Sequence, residues 1–427
     1  MWWQFVNWKI NNRWIILICD KMVFLLFSLF VLLCTSCNEN KGEYETLLSA
    51  PVVAEYMPYR GDSMLVADFE KIRNGSTIDF PMSEFCEWYK LVKLDNSSKE
   101  IMLPNTAWFI ASDNYIMAGD GGDPLQLFNI DGKYLCQVGE KEGPGGYNGY
   151  YEPGYINEEK QEILLPVFRA IKVYNLRTGK VINSITPTNT LVPRNVIPWS
   201  EDTYLYSTEP DERYEERLTL EEVNHEGKHI SGFPSKYFLH DGYVNDWGEH
   251  WAYNSWVDIL RINADEIAFY PSPVYSTKDT IFHYHVKQED LKPVFTMRYT
   301  GNVMQHRYSE SSHYYYATYM VPNNVPLELN GWSNRPSIKI LIDRRTGKGS
   351  MVNLCLDKHG WLDISAGRSW VFNGYFTLNL TPDNLMLMIE HELKQEDTTE
   401  ENRKKLQELY DSITEDDNNY AVIGKLR

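Results

Sequence analysis

The chain has 427 residues, enough for one large all-β domain or for two or three ordinary domains. Its 59 Asp and Glu residues outnumber its 41 Lys and Arg residues, so the formal net charge at pH 7 is −18. Phosphate backbones repel so acidic a surface, and the composition therefore argues against a nucleic-acid partner. Aromatic residues make up 14% of the chain, which favours β structure because strands are enriched in them.

The first 36 residues are predicted to be a signal peptide. An apolar run from Val23 to Leu33 is too short for an ordinary membrane-spanning helix and has the length of a signal-peptide core. Residues 1–21 are either a long N-terminal region of this signal or a wrongly assigned start, with the true start near Met22. They are left out of the fold prediction.

The end of this signal resembles a bacterial lipoprotein signal. Thr35 and Ser36 precede Cys37 as in a lipobox, although Cys34 is unusual at its position. The resemblance implies cleavage before Cys37 and attachment of diacylglycerol to its thiol; a plain secretory signal and an N-terminal anchor are the alternatives. Acidic residues behind Cys37 resemble the surface-export signal of some gut Gram-negative lipoproteins. We expect residues 37–50 to be a lipidated tether and the protein to be an outer-membrane lipoprotein, at the cell surface or on the periplasmic face.

Three cysteines lie beyond the lipidation motif: Cys86, Cys136 and Cys355. An odd number allows one disulfide at most, and the chain has no CxxC motif of a redox or zinc site. We expect three isolated, buried thiols.

A glycine-centred turn returns four times along the chain. Each copy follows a short run of alternating apolar and polar residues, the pattern of a β-hairpin whose turn needs a residue with positive φ. The four copies are Asp131–Lys133, Thr178–Lys180, Glu226–Lys228 and Thr346–Lys348, and a weaker one places its turn at Asp290–Lys292. The first three lie just under fifty residues apart, which is typical of β-propeller blades.

Six such units, from about residue 85 to the C-terminus, predict an all-β, six-bladed β-propeller, with seven blades as the alternative. The propeller is predicted to span 51–427, and its sixth unit covers 367–391. Residues 398–415 are predicted to form a short surface helix, because Thr398–Glu401 has the pattern of a capping box and apolar residues follow at helical spacing. The last residues then form a closing strand, whose natural partner is the strand-like segment around Trp88.

These features resemble a family of six-bladed β-propeller lipoproteins of gut-type Gram-negative bacteria, relatives of the NHL-repeat propellers. The resemblance is carried by residues 127–147, residues 171–180, Cys37 and the terminal "YAVIGKLR". Gly146 stands where the family usually has an acidic residue. The resemblance implies the fold and the location; the biochemical role of the family is undefined, so it implies no activity.

Three aromatic-rich stretches are candidate ligand sites. The stretch 240–256 departs from the repeat and places three tryptophans beside carboxylates, as carbohydrate stacking requires. An ordinary aromatic-rich loop that packs on the blades is the alternative. The stretches 305–324 and 330–336 add basic residues, which near a propeller channel could hold an anionic group. A tyrosine that follows the glycine-rich loop could line a face. The candidate residues are Tyr147, Trp247, His250, Trp251, Trp256, Arg307, His313, Trp332 and Arg335.

Little in the sequence points to catalysis. His283 and His285 share one side of a strand and could hold a metal, but no third ligand follows, so we favour ordinary histidines of an edge strand. We predict no metal, no cofactor and no catalytic residue. The leading hypothesis is a lipid-anchored propeller that binds a glycan, a peptide or an envelope partner protein. The alternatives are an enzyme acting in the channel, as a lyase or metal-dependent hydrolase, and a structural subunit of an envelope complex.

Overall fold

The computed structural model describes residues 46–59, 62–120, 124–143, 146–147, 153–188, 192–208, 218–234, 256–272, 280–300, 306–320, 337–367 and 369–427. The chain divides into two units, Met1–Ser49 and Ala50–Arg427. In the first unit, the described residues form one turn of 3-10 helix, Thr46–Ser49. Among all the described residues, no helix is both long enough and apolar enough to cross a membrane.

The second unit is built mainly from short strands. The first fourteen are β1 (Ala54–Tyr59), β2 (Asp62–Asp68), β3 (Ile78–Pro81), β4 (Cys86–Lys93), β5 (Trp108–Ala111), β6 (Tyr115–Gly119), β7 (Leu125–Asn129), β8 (Tyr134–Val138), β9 (Tyr155–Asn157), β10 (Glu162–Val167), β11 (Ala170–Asn175), β12 (Val181–Ile185), β13 (Pro193–Pro198) and β14 (Thr203–Thr208). The others are β15 (Leu218–Asn224), β16 (His229–Pro234), β17 (Trp256–Arg261), β18 (Glu266–Ser272), β19 (Ile281–His285), β20 (Asp290–Arg298), β21 (His306–Glu310), β22 (Tyr314–Met320), β23 (Ser337–Asp343), β24 (Gly349–Leu356), β25 (Leu362–Asp363), β26 (Ser369–Phe372), β27 (Tyr375–Leu380) and β28 (Tyr420–Leu426). The helices are α1 (Phe69–Arg73), α2 (Met82–Phe85), α3 (Pro382–Leu393) and α4 (Glu400–Asp411), with 3-10 turns at Lys99–Ile101, Val286–Gln288 and Asp357–His359.

The strands form six antiparallel blades, which confirms the predicted six-bladed propeller. Blades one to five are β5–β8, β9–β12, β13–β16, β17–β20 and β21–β24, and blade six is β26, β27, β28 and β4. In each blade the first strand in this order is the innermost. Buried apolar side chains of neighbouring blades pack face to face; for example, Phe295 of blade four stacks on Tyr315 of blade five with ring centroids 4.2 Å apart.

The ring closes as the sequence predicts. The last strand, β28, pairs antiparallel with β4 near the start of the propeller, with Val422 opposite Leu91. The first five residues of β28 are all buried, so both faces of this strand lie in the core. Blade six therefore contains strands from both ends of the propeller, and the ring cannot open at this blade without losing the pairing.

The N-terminal segment also extends along the outer edges of blades four and five, which the sequence did not predict. Strand β2 pairs in parallel with β20 and carries β1 outside it, and β3 pairs in parallel with β24. Residues 54–93 thus contribute outer strands to three successive blades. Strands β1, β2 and β3 fall outside the repeated units, so the repeat pattern could not reveal them.

The repeated glycine turns join neighbouring blades. Gly132, Gly179, Gly227 and Gly347 all have positive φ. A Cβ atom at Gly179 would lie 1.8 Å from the carbonyl oxygen of Gln137 in blade one, and the other three glycines approach backbone of the preceding blade's outer edge at 2.1–2.4 Å. The Gly179 carbonyl also accepts a hydrogen bond from Gly139 N–H of blade one, at 2.7 Å. The repeat therefore marks the contact between blades as well as the turn.

The weaker copy of the turn was placed wrongly. Asp290–Lys292 lies in β20, and the turn falls earlier, at Val286–Gln288 followed by Glu289. Glu289 takes the left-handed conformation, with φ of 51°. Glu289 thus occupies the position where the other turns have a glycine. Because the sequence has no glycine there, the turn was predicted too far along the chain.

The helical excursion is longer than predicted and differently capped. Helix α3 occupies part of the segment that was predicted to be the sixth strand unit; Thr381 caps it, and Pro382 is its first residue. Helix α4 is capped by Thr399, whose hydroxyl accepts from Asn402 N–H, so the predicted capping box starting at Thr398 is wrong by one residue. The predicted surface helix before a closing strand is confirmed.

Cys86, Cys136 and Cys355 are free thiols, as expected. Cys86 and Cys355 are buried, whereas Cys136 is partly exposed. Burial raises the pKa of all three thiols, so they are poor nucleophiles at neutral pH.

Candidate functional site

The innermost strands of blades three to six converge on a cavity near the axis of the ring, called here the axial cavity. Its lining includes Asn195 of β13, Asp258 of β17, Glu310 of β21 and Phe372 of β26. The volume of the cavity itself is about 40 Å³; with the open space in front of it, the volume is about 410 Å³. The inner part holds only a few water molecules, so it can admit a single functional group of a larger ligand.

Asp258 and Arg307 form a bidentate ion pair in this region. The guanidinium Nε and Nη2 of Arg307 donate to the two carboxylate oxygens at 2.5 and 2.6 Å. Trp370 and Phe372 lie two residues apart on β26 and stack on each other, and the guanidinium carbon of Arg307 lies 5.2 and 4.6 Å from their ring centroids. Burial raises the pKa of Asp258, and the charge and hydrogen bonds of Arg307 oppose that rise. The guanidinium of Arg307 is thus held by two hydrogen bonds to Asp258 and by its contacts with the two aromatic rings.

The second carboxylate of the cavity, Glu310, is also held by basic groups. Its side chain is 1% exposed, accepts from His283 Nε2 at 2.9 Å and forms an ion pair with Arg344 Nη1 at 2.6 Å. The other ring nitrogen of His283 lies 2.9 Å from Glu266, and His285 lies 3.4 Å from the same carboxylate. Burial alone would lower the pKa of His283, but hydrogen bonds and charge from Glu310 and Glu266 outweigh it, so the pKa is raised.

Two amide oxygens of the lining have no hydrogen-bond partner in the part of the chain that the structure describes. The Oδ1 atoms of Asn195 and Asn373 are buried, and neither has a hydrogen-bond partner among the described residues. Asn195 is only 5% exposed. A buried acceptor without a partner costs about 1–3 kcal/mol, so a partner from outside the chain would be bound favourably here.

Of the predicted site residues, Arg307, His313 and Tyr147 have described side chains, and these three lie in different places. Arg307 lies at the axial cavity, on the innermost strand of blade five. His313 is exposed in the turn that follows, where its carbonyl accepts from Arg344 N–H at 3.0 Å. Tyr147 is 1% exposed and its hydroxyl accepts from Leu125 N–H, so its side chain packs in the core and lines no face. Trp256 begins β17, but its side chain is outside the description.

The other predicted residues cannot be placed. Cys37, Trp247, His250, Trp251, Trp332 and Arg335 lie outside the described residues. The stretch 240–255 and the segment 330–336 therefore stay predictions.

The histidines of blade four were partly misread. His283 and His285 do share one side of a strand, but β19 lies inside its sheet, between β18 and β20, and is no edge strand. Among the residues that the structure describes, no group of three or more His, Cys, Asp or Glu is arranged to hold a metal ion. The two rings contact Glu266 instead.

Sequence reasoning missed the partners of Arg307 and the acidic partner of His283. Asp258 and Glu310 lie 49 and 27 residues from these partners in the chain. Both are on innermost strands, which blade alignment could have shown: Asp258 is the third residue of β17 and Glu310 the last of β21. The amide oxygen of Asn195, which has no partner among the residues that the structure describes, has no sequence signal.

Comparisons with known proteins find one family model and several solved structures that are similar to this chain. The model of a domain of unknown function, DUF4934, matches residues 65–425. A search of curated proteins finds no match. Among solved structures, a protein from Bacteroides fragilis described as exported is similar over 82% of this chain and 100% of its own, with 13% identity and a TM-score of 0.55. A DUF4221 member from Bacteroides vulgatus matches 80% of this chain and 98% of its own, with 11% identity and a TM-score of 0.43.

Proposed function

Since the chain belongs to the DUF4934 family, whose function is unknown, we propose from its own residues that it is an exported, lipid-anchored protein that binds a ligand without converting it. The ligand enters the axial cavity with one small group that donates hydrogen bonds. The observation that carries this proposal is the buried, unsatisfied Oδ1 of Asn195 in a cavity lined by four blades.

The charges of the cavity favour a neutral donor group. The carboxylates of Asp258 and Glu310 are each paired with an arginine, Arg307 and Arg344, so these four charges cancel. What remains for a ligand is amide acceptors and an apolar, aromatic wall. Three kinds of group could enter this cavity: a hydroxyl group of a glycan, an amide N–H group of a peptide, and a side chain that projects from an envelope protein.

The same pairing favours binding over catalysis. A carboxylate that acts as general base or nucleophile needs a free oxygen facing the substrate. Both oxygens of Asp258 accept from Arg307, and Glu310 accepts from His283 and forms an ion pair with Arg344. A lyase or hydrolase in the channel is the alternative that measurement of turnover tests.

The location rests on the N-terminal motif. Lipidation of Cys37 would anchor the propeller through the tether 37–50, on the surface or on the periplasmic face of the outer membrane. The similar protein from Bacteroides fragilis is described as exported, which agrees with export of this chain. Replacing Cys37 by Ser should abolish incorporation of labelled fatty acid and release the protein from membranes. Unchanged incorporation and fractionation would refute the anchor.

Binding is tested by thermal shift of the full chain with neutral saccharides, muropeptides and divalent cations. A ligand that binds only the folded state raises the melting temperature. Asn195→Leu keeps the branched shape of the side chain and removes the amide, so it should reduce the shift given by a ligand of the axial cavity without lowering the melting temperature of the free protein. Asn379→Leu is the matched control, because its Oδ1 also lacks a partner among the described residues and it lies outside the cavity lining.

A further inference from the structure

A larger pocket opens on the outer part of blade one, where the chain crosses from β4 to β5. Its volume is about 340 Å³, against about 40 Å³ for the axial cavity. We call it the rim pocket. Its lining includes Ser97, Ser98, Glu100, Gln126, Tyr134 and Gln137. A pocket of this volume is in the range of sites for small molecules.

The floor of the rim pocket holds an unsatisfied acceptor. Gln126 is 8% exposed, so more than nine-tenths of the residue is buried. Its Nε2 donates to the backbone carbonyl of Glu100 at 3.1 Å, which fixes the amide, but its Oε1 has no partner among the described residues. Buried acceptors in native proteins are almost always paired, so a donor from a ligand would bind favourably to this oxygen.

The wall of the pocket is held rigidly in place. Asn418 is fully buried; its Nδ2 donates to the carbonyls of Asp95 and Ile101, both at 2.8 Å, and its Oδ1 accepts from Leu103 N–H at 3.0 Å. These three bonds clamp both ends of the crossing segment that faces Gln126. A ligand would therefore meet a preformed surface and would lose less entropy on binding.

The lining chemistry specifies the class of ligand. Gln126 and Gln137 are opposite each other on β7 and β8, and their amides offer both donors and acceptors. Glu100 is the one carboxylate among the described lining residues, and none of these is basic, so an anionic ligand is disfavoured. Tyr134 is partly exposed and offers an aromatic ring for an apolar face.

We infer that the rim pocket binds a neutral sugar unit. Its hydroxyl groups donate to Gln126 Oε1 and Glu100, accept from the Gln137 amide, and its ring lies against Tyr134. The inference rests on the residues of blade one and is independent of the axial cavity.

The test is saturation-transfer NMR on the full chain in detergent, with glucose, galactose, mannose and N-acetylglucosamine as probes. Glucuronate and glucosamine serve as the anionic and cationic comparisons. Gln126→Met keeps the unbranched side chain and removes the amide. Gln137→Met, at an exposed position, provides the same test if the first variant does not fold. Asn195→Leu alters the axial cavity alone.

The inference predicts saturation transfer to at least one neutral sugar, none to glucuronate, and a dissociation constant raised about tenfold or more by Gln126→Met. The Asn195→Leu variant should bind the sugar as the wild type does. Transfer to glucosamine alone, or to no sugar, overturns the inference. Sugar binding that is lost in Asn195→Leu and kept in Gln126→Met also overturns it, while it supports the axial cavity.

Discussion

The glycine turns give the sharpest prediction on stability. In Gly179→Ala, the new Cβ atom would lie 1.8 Å from the carbonyl oxygen of Gln137, a backbone atom of the preceding blade. Ordinary contacts begin near 3.4 Å, so backbone must move by more than an ångström. That movement disrupts the 2.7 Å hydrogen bond from Gly139 N–H to the Gly179 carbonyl.

The magnitude follows from two contributions. A left-handed conformation costs a residue with a Cβ atom about 1–2 kcal/mol, and Gly179 has φ of +64°. Loss of the hydrogen bond between blades adds about 1 kcal/mol. The expected loss in free energy of unfolding is therefore about 2–3 kcal/mol, before any loss of packing between the blades.

Gly374→Ala is the matched control. Gly374 has φ of +80°, but a Cβ atom there would meet nothing closer than Leu260 Cδ1 at 3.9 Å. It should cost only the conformational term of about 1–2 kcal/mol. Urea unfolding followed by tryptophan fluorescence measures both variants. Equal losses in the two variants would refute the claim that the repeated glycine is required by contact between blades.

Three further predictions concern the charged groups. Arg307→Ala should lower the free energy of unfolding by about 3–5 kcal/mol, because Asp258 is left unpaired. The double variant Arg307→Met, Asp258→Leu should recover most of this loss in urea unfolding. No recovery would contradict the pairing. His283 has a raised pKa, so its contribution to stability is complete below about pH 6.5 and is lost as pH rises through the folded-state pKa. The difference in free energy of unfolding between the wild type and His283→Gln should therefore shrink over that pH range. A difference that is independent of pH would contradict this. Burial, together with neighbouring carboxylates, raises the pKa of Glu392 to about 7, so ionisation of Glu392 opposes folding. Glu392→Gln should stabilise the protein more at pH 8 than at pH 4. Equal effects in urea titrations at the two pH values would contradict this prediction.

The sequence predicted the blades because the repeat is local. A run of alternating residues, a polar turn and a glycine lie within about a dozen positions, and the four glycine turns appear as predicted. Closure of the ring was also predictable, since an apolar terminal strand needs a partner and β4 offered one. The local signal failed where Glu289 replaces the glycine and where β2 and β3 pair in parallel with distant strands.

The candidate site was less predictable, because its groups meet only through the closed ring. Arg307 could be singled out by its position at the start of a unit, but Asp258 comes from the neighbouring blade. The burial of Tyr147 also depends on tertiary packing, since the sequence around it looks like an exposed loop. An unsatisfied acceptor such as Asn195 Oδ1 is a property of the packed structure and has no sequence pattern.

The most direct test of ligand binding is a calorimetric titration of the full chain and of Asn195→Leu with the compound that gives the largest thermal shift. The compound is recovered afterwards and identified by mass spectrometry. We expect that the wild type binds the compound, that the variant binds it at least about tenfold more weakly, and that the compound is recovered unchanged. Equal affinity in the two proteins, or recovery of a converted product, would contradict a binding protein whose site is the axial cavity.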